Sequence, residues 1–449
     1  MIKRILLSFS IILVALFPAQ VTFAKKSGLA FIRDAEIEHT LRAYASPLFT
    51  AAGLNAGDVS IHLINNRVIN AFVAGGQRMF FFTGLLERVE SPSQLKGVIA
   101  HETGHIAGSH LSRTQDALKN ATVKNILGYI LGAAAVFAGG GKAGAAVIGG
   151  AQGIAQKSFL KYNRAQESAA DQASMRYLEA TNSSGRGMLE FLEILGTNEQ
   201  ITVGKVDPYW RSHPISNDRI SAMRNQVENS RFKDAPDTPL EIEALKRLQA
   251  KLYGFTRSLG QTLKKYPHSD QSTSGRYARA IAYFKYPNLE KAEVEINSLL
   301  DEFPGNPFFH ELKGQMLFEN GDPVSAVGPL KIAASYLPEE PLILTLYGTV
   351  LLNTGYAEDD AEAIHVLKAS IFYDATRAGT WNQLAIAYSR AGDTGNLALA
   401  TAERFLLLRQ RKKAIFHAKR VQQYMRVGTP GFLRADDIIS LATRLKKPN

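Results

Sequence analysis

His101-Glu102-Thr103-Gly104-His105 sets two histidines four residues apart, with a glutamate beside the first. On an α-helix such residues lie one turn above each other on one face, so two imidazoles can reach one ion from the same side. This is the HEXXH pattern, in which the histidines hold zinc and the glutamate, here Glu102, holds a metal-bound water as general base. The pattern gives two ligands, and a catalytic zinc needs a third. His110 is one candidate. It falls five residues after His105, pointing away from that face, and the spacing that brings a third histidine onto the metal would need position 111, which is Leu111. Glu167, in Glu167-Ser168-Ala169-Ala170-Asp171, is the better choice, on a second helix that continues through Met175, Tyr177 and Leu178. Asp171 falls one turn later on the same face, where it can accept a hydrogen bond from a ligand histidine.

The elements that must position these groups are legible locally. Ser91-Pro92-Ser93-Gln94 reads as a capping box, with Ser91 as N-cap, Pro92 at the first helical position and Gln94 folding back. Leu95, Val98, Ile99 and Ile106 then give the apolar spacing of a buried helix. Upstream, residues 33–54 read as a helix with Ile37, Leu41, Tyr44 and Leu48 on one face. Residues 59–64 alternate as a strand, Asn65-Asn66 marks a turn, and residues 69–73 and 79–83 read as two strands around Gly75-Gly76. An edge strand beside a catalytic metal can pair with an extended substrate backbone. Asn70-Ala71-Phe72-Val73 is the candidate segment for that role, against the alternative of a plain structural hairpin.

Composition limits the chemistry. The 449 residues contain no cysteine, so disulfides and thiolate zinc sites are excluded, and a metal must use His, Asp or Glu. The formal net charge is +11, unevenly spread: residues 401–449 hold 12 Lys and Arg against 3 Asp and Glu, a local +9. That end could meet anionic lipid, lipopolysaccharide or an acidic protein surface, or be a solvated helix face. Residues 1–24 read as a secretory signal: Lys3 and Arg4, an apolar run over 5–17, and Thr22-Phe23-Ala24 before Lys25. Export argues against a nucleic-acid partner and for a periplasmic location. Residues 125–154 are Gly- and Ala-rich and carry only Lys142 as a charge. They read as a tightly packed helix pair, an amphiphilic flap touching membrane or substrate, or a membrane-embedded hairpin.

From Thr238 a connecting helix runs through Ala244, Leu245, Leu248 and Leu252 to a break at Tyr266-Pro267-His268. Segments starting near Ser274, Pro307, Pro341 and Ala378 then repeat at offsets of 33, 34 and 37 residues, the last with an insertion near Glu358-Asp359-Asp360. Gly314, Leu317, Gly321, Ala326, Leu330, Ala333 and Pro338 fall at tetratricopeptide positions, as do Trp381, Leu384, Ala385, Tyr388 and Gly392. After Gly392 the register slips, which predicts an atypical, basic end cap. Stacked repeats of this kind present a concave surface for extended peptides or helices.

The HEXXH segment, Glu167-Ser168-Ala169-Ala170-Asp171, and His213-Pro214 followed by Arg219-Ile220 together resemble one zinc metallopeptidase family. It includes the CAAX prenyl proteases, the HtpX type and soluble periplasmic BepA-type members with C-terminal tetratricopeptide repeats. The resemblance covers roughly residues 31–223. It implies His101, His105 and Glu167 as zinc ligands, Glu102 as catalytic base and Asp171 behind a ligand. His213 would lie near the metal, to steady the oxyanion or to bind the zinc in a latent state. The family strand often ends in alanine where this chain has Val73.

The expected architecture is an α+β zincin-type, gluzincin-like metallopeptidase domain followed by an all-α tetratricopeptide solenoid. Its boundaries are a signal at 1–24, the peptidase at 25–237, a connecting helix at 238–265 and the repeats at 266–449. The expected activity is periplasmic zinc endopeptidase, and the resemblance adds quality control of outer-membrane proteins. Protein substrates, unfolded outer-membrane proteins among them, the outer-membrane assembly machinery and a peripheral membrane contact are the expected partners. The alternative is a chaperone or scaffold whose zinc site is latent.

Overall fold

A computed structural model describes residues 30–109, 154–201 and 213–444. The signal at 1–24, His110 and almost all of the Gly- and Ala-rich run at 125–154 lie outside the described residues. Among those described, no helix is long and apolar enough to cross a membrane.

The first half is built on a four-stranded sheet: β1 (Phe31–Ile32), β2 (Ser60–Ile64), β3 (Ala71–Ala74) and β4 (Arg78–Phe82), in spatial order β1-β2-β4-β3. β2 runs parallel to β4, while β3 pairs antiparallel with β4 and β1 antiparallel with β2. β1 was not expected: two residues are too few to show alternation, and pairing with Leu63 and Ile64 defines the strand. Alternation sends Ile61, Leu63, Ala71, Val73, Met79 and Phe81 into the main core, and Ile64, Phe72 and Phe82 to the opposite face.

Two helices pack beside the sheet, α1 (Ala35–Ala51) and α3 (Pro92–Ala107), with the short α2 (Thr83–Arg88) leading into the latter. The Asp34 side chain caps α1 by accepting from Ile37 N, and Leu41, Ala45 and Phe49 are fully buried on one stripe. In α3 the Ser91 side chain accepts from Gln94 N, as a cap should. Gln94 Oε1 instead accepts from Glu90 N at 2.9 Å, one residue before the N-cap, so the reciprocal bond of the expected box is displaced. Every residue of α3 from Gln94 to His105 is buried.

α4 (Ile154–Ala180) crosses α3, and α5 (Arg186–Ile201) and α6 (Asn217–Asn229) complete the layer around Leu178, Met188, Leu192, Met223 and Val227. The α3–α4 crossing depends on a glycine. A Cβ at Gly104 would stand 3.0 Å from both Ala170 Cα and its carbonyl oxygen. The small residue lets α4 come close enough for Glu167 and Asp171, either side of Ala170, to face the histidines of α3.

Beyond the sheet the chain is helical. The expected connecting helix is two: α7 (Pro239–Thr256), opened by a Thr238/Glu241 capping box, and α8 (Leu259–Lys265), opened by a Ser258/Gln261 box. The helix therefore breaks first at Arg257-Ser258, before Pro267. Antiparallel pairs follow: α9 (Thr273–Lys285) with α10 (Leu289–Glu302), α11 (Pro307–Glu319) with α12 (Pro323–Tyr336), α13 (Pro341–Leu351) with α14 (Ala357–Tyr373), and α15 (Ala378–Arg390) with α16 (Thr394–Leu407). The insertion near Glu358 appears in α14, which has 17 residues where α12 has 14. α17 (Arg411–Tyr424) and α18 (Pro430–Arg444) close the array over a core of Ala398, Ala402, Ala414, Ala418, Val421 and Ile438.

The array is joined to the sheet domain through the first turn of α1. Ala35 packs with Phe308, Ala333 and Ile343, and Glu36 is buried against α7 and α9.

Candidate metal centre

The core beneath α3 fixes its register. Leu95, Val98, Ile99 and Ala100 are fully buried in the sheet–helix interface, which leaves His101 and His105 on the side facing α4. His101 Nε2 and His105 Nε2 lie 3.1 Å apart. Glu167 from α4 meets both, its Oε2 3.3 Å from His101 Nε2 and its Oε1 3.3 Å from His105 Nε2. His213, just before α6, enters the same space. Its Nδ1 is 3.3 Å from His101 Nε2 and 3.2 Å from Glu167 Oε2. All four side chains are buried, and one ligand atom from each lies within 4.8 Å of all the others.

These residues fit a metal ion. Metal–ligand bonds of about 2.0–2.1 Å in a tetrahedron put neighbouring ligands about 3.3–3.4 Å apart. The observed separations of 3.1–3.3 Å have that scale. The donors are imidazole nitrogens and one carboxylate, a set suited to a borderline divalent ion. Beside them Glu102 is fully buried, yet neither carboxylate oxygen has a hydrogen-bond partner of good geometry among the described residues. Such a group is expensive to bury. It is understandable where water is to be held.

A layer of charges supports the ligands. Asp171 Oδ1 lies 3.0 Å from His101 Nδ1, the ring nitrogen turned away from the ligand cluster, and so orients that ring. Arg219 of α6 grips Asp171 with two hydrogen bonds, Nε to Oδ2 at 2.7 Å and Nη2 to Oδ1 at 2.8 Å. Its Nη1 donates to the Pro214 carbonyl at 2.7 Å and approaches Glu167 Oε2 at 3.1 Å. One guanidinium thus ties a metal-facing carboxylate, the aspartate behind a histidine, and the loop that carries His213. The electrostatics follow. Burial pushes the Asp171 carboxyl up, but Arg219 and His101 bring it down to about 2. Glu167 is likewise held well below the usual carboxylate range: burial opposes ionisation, and His213, His105 and His101 outweigh it. Burial also disfavours a charged His101, yet Asp171 and Glu167 raise its pKa to about 10. The cluster is thus strongly attractive to positive charge.

His213 touches the substrate-strand candidate as well. The Asn70 carbonyl accepts from Phe82 N at 3.0 Å, so residues 70 and 72 turn their backbone groups toward β4. By alternation the groups of Ala71 and Val73 turn to the outer edge of β3, the last strand of the sheet among the described residues. There His213 Nε2 lies 3.3 Å from the Ala71 carbonyl and 3.3 Å from Glu102 Oε1.

The structure therefore brings together His101, Glu102, His105, Glu167, Asp171 and His213, with Ala71 at their rim. Asn70, Phe72 and Val73 lie along the same strand, all buried. Sequence reasoning noticed Arg219 without giving it a task. Its signal was its place in the motif after His213-Pro214; the helix around it is mostly exposed, and Arg219 is buried there with Met223 and Val227 only.

Comparison with known proteins gives the same centre a context. Residues 32–227 match Peptidase family M48. The chain is 24% identical over 421 residues to a beta-barrel assembly-enhancing protease of Yersinia pestis, covering 91% of this chain and 84% of that protein. It is 27% identical over 383 residues to a putative beta-barrel assembly-enhancing protease of Vibrio cholerae, covering 83% of this chain and 77% of that one. Metalloprotease LoiP of Escherichia coli is 25% identical over 205 residues, 42% of this chain and 73% of that protein. The match over residues 32–227 and these relatives make the chain a metallopeptidase.

Proposed function

We propose that this metallopeptidase is a periplasmic zinc endopeptidase whose resting site is closed by His213. The observation that carries this reading is the convergence of His101, His105, Glu167 and His213 beside the fully buried carboxylate of Glu102. Three imidazoles and a carboxylate, in a chain without cysteine, suit zinc better than a hard oxygen-seeking cation. Held there, zinc supplies Lewis acidity to the scissile carbonyl and to the attacking water. Glu102 takes the water's proton and passes it to the leaving amine. Asp171 and Arg219 keep the His101 ring in place.

A catalytic zinc keeps an open position, and a structural one is closed by four protein ligands. His213 Nδ1 lies where a fourth ligand would, and its Nε2 occupies the backbone acceptor at the β3 edge. Withdrawal of His213 would open the metal and free the Ala71 carbonyl for a substrate backbone in one movement.

Two of these relatives are named beta-barrel assembly-enhancing proteases, one of them putative, and the match covers most of their length. That similarity supports misassembled outer-membrane proteins as substrates. The C-terminal helical pairs, read as tetratricopeptide repeats, would dock substrate or the assembly machinery. The same four-ligand closure favours a second reading, a chaperone or scaffold with a latent site. The glutamate retained at position 102 speaks against it, because a structural site needs no base.

The test is cleavage of casein by the chain from Lys25, with zinc content measured beside Glu102→Gln. Loss of about 10²–10⁴ in rate with zinc retained is expected. Equal cutting by Glu102→Gln would remove Glu102 from the reaction. No cutting by wild type or by His213→Ala, with zinc bound in both, would favour the scaffold.

A further inference from the structure

Five cations of the helical array pair with acidic side chains. Arg276 pairs with Glu302, Arg279 with Glu295, Lys331 with Glu362, Arg390 with Asp360 and Arg434 with Glu403. α17 departs from this. Its 14 residues include Arg411, Lys412, Lys413, Lys419 and Arg420, and no Asp or Glu. Arg411 is committed to the end of α18, donating to the carbonyls of Ala442 and Thr443. Lys413 stands over the Phe405 ring at 5.1 Å. Lys412, Lys419 and Arg420, with Arg426 in the following turn, have no ion-pair partner among the described residues.

The helix is also amphipathic in an unusual sense. Ala414, Ala418 and Val421 form its inner stripe, fully buried against α16 and α18. Its outer face combines these cations with large apolar groups: Phe416 is 61% exposed and Tyr424 56%, and Val427 just beyond the helix is 83% exposed. Positions 412, 416, 419, 420, 423 and 424 fall on one side of a helix. Phe416 lies between Lys412 and Lys419 on that side, with Tyr424 at its end and Val427 just beyond, so basic and large apolar groups share one exposed face.

We propose that the outer face of α17 and the turn after it dock on an anionic lipid surface. Basic residues approach acidic headgroups while aromatic and aliphatic tips enter the headgroup–acyl boundary, as interfacial helices do. The complementarity is one of charge, with each basic residue near an anionic membrane worth about fivefold in partition. The face is the outside of a single helix rather than a groove, which suits a broad surface better than a peptide. The inference rests on no residue of the metal centre, so it stands apart from the catalytic reading.

The experiment is sedimentation of the chain from Lys25 with vesicles of phosphatidylcholine alone and of phosphatidylcholine mixed with phosphatidylglycerol. Pelleting only with phosphatidylglycerol, reversed by added salt, is expected. The triple variant Lys412→Glu, Lys419→Glu, Arg420→Glu should partition more than about tenfold less well. Phe416→Ser keeps every charge and should lose several-fold, with melting temperature and zinc content unchanged in both variants. Equal pelleting with both vesicles, no pelleting, or wild-type behaviour of the triple variant would overturn the proposal. So would competition by soluble polyglutamate together with full binding by Phe416→Ser, since the face would then read acidic protein through charge alone.

Discussion

Two clusters of buried carboxylates can be compared directly, because their centres differ. In the sheet domain, Glu167 converges with three histidines, one ligand atom from each within 4.8 Å of the others, and Asp171 stands behind His101. At the joint between that domain and the helical array, Asp34, Glu36 and Glu311 converge on the Lys251 ammonium at 3.0, 3.6 and 3.6 Å. Arg247 and the Tyr277 hydroxyl complete the second cluster on Glu36, at 2.9 and 2.7 Å. Both answer the same cost, that of removing carboxylates from water. The joint answers it with a cation built into the chain, whose pKa rises well above the usual lysine value: burial opposes the charge, but Asp34, Tyr277 and Glu311 favour it. The metal centre uses imidazoles, which offer lone pairs when neutral and so leave room for a cation from outside. Converging carboxylates alone therefore do not mark a metal site. The ligands to look for are those that need not be charged.

The comparison breaks most sharply at Lys251. Lys251→Met should leave Asp34 and Glu311 without their ammonium and Glu36 with Arg247 and Tyr277 alone, and cost about 3–5 kcal/mol of stability. The measurement is urea unfolding, and zinc bound per folded molecule should not change. If zinc content falls in proportion, the two clusters are not independent. A smaller effect is expected at the support of the metal centre. Arg219→Lys keeps the charge but loses the fork that grips Asp171, and should weaken metal affinity by about 10–100-fold in chelator competition. Melting of the helical array should hardly move.

The smallest effect separates the clusters by pH. Glu340, beside the joint, has a pKa raised to about 7, first by burial and then by Glu38, against the pull of Arg33 and Arg377. A carboxyl whose pKa is higher folded than unfolded binds more protons in the folded state, so stability falls as pH rises from about 4.5 to 7. Glu340→Gln should remove that loss and stabilise the protein by about 1 kcal/mol more at pH 8 than at pH 5, the value discounted for partial exposure. Thermal melting at the two pH values checks this. An equal effect at both would mean that Glu340 is ionised throughout.

What could be read in advance follows the same division. The metal centre was legible because its chemistry is local: helical spacing pairs His101 with His105 and Glu167 with Asp171. The joint was not. Glu36 reads as an ordinary acidic residue in a first helical turn, and its partners Arg247 and Tyr277 lie 211 and 241 residues away. Only tertiary packing buries it. β1 escaped for a related reason, since pairing with β2 defines it. Arg219 lay between these cases, visible as part of a motif but without a task until Asp171, Glu167 and the Pro214 carbonyl stood around it.

The central claim is that His213 closes a site otherwise ready to cut. The measurement is casein cleavage by wild type, His213→Ala and Glu102→Gln at equal zinc content. His213→Ala is expected to cut faster than wild type, and Glu102→Gln not to cut. If His213→Ala is slower than wild type while still holding its zinc, His213 serves the reaction rather than restraining it, and the closed site is not a latch.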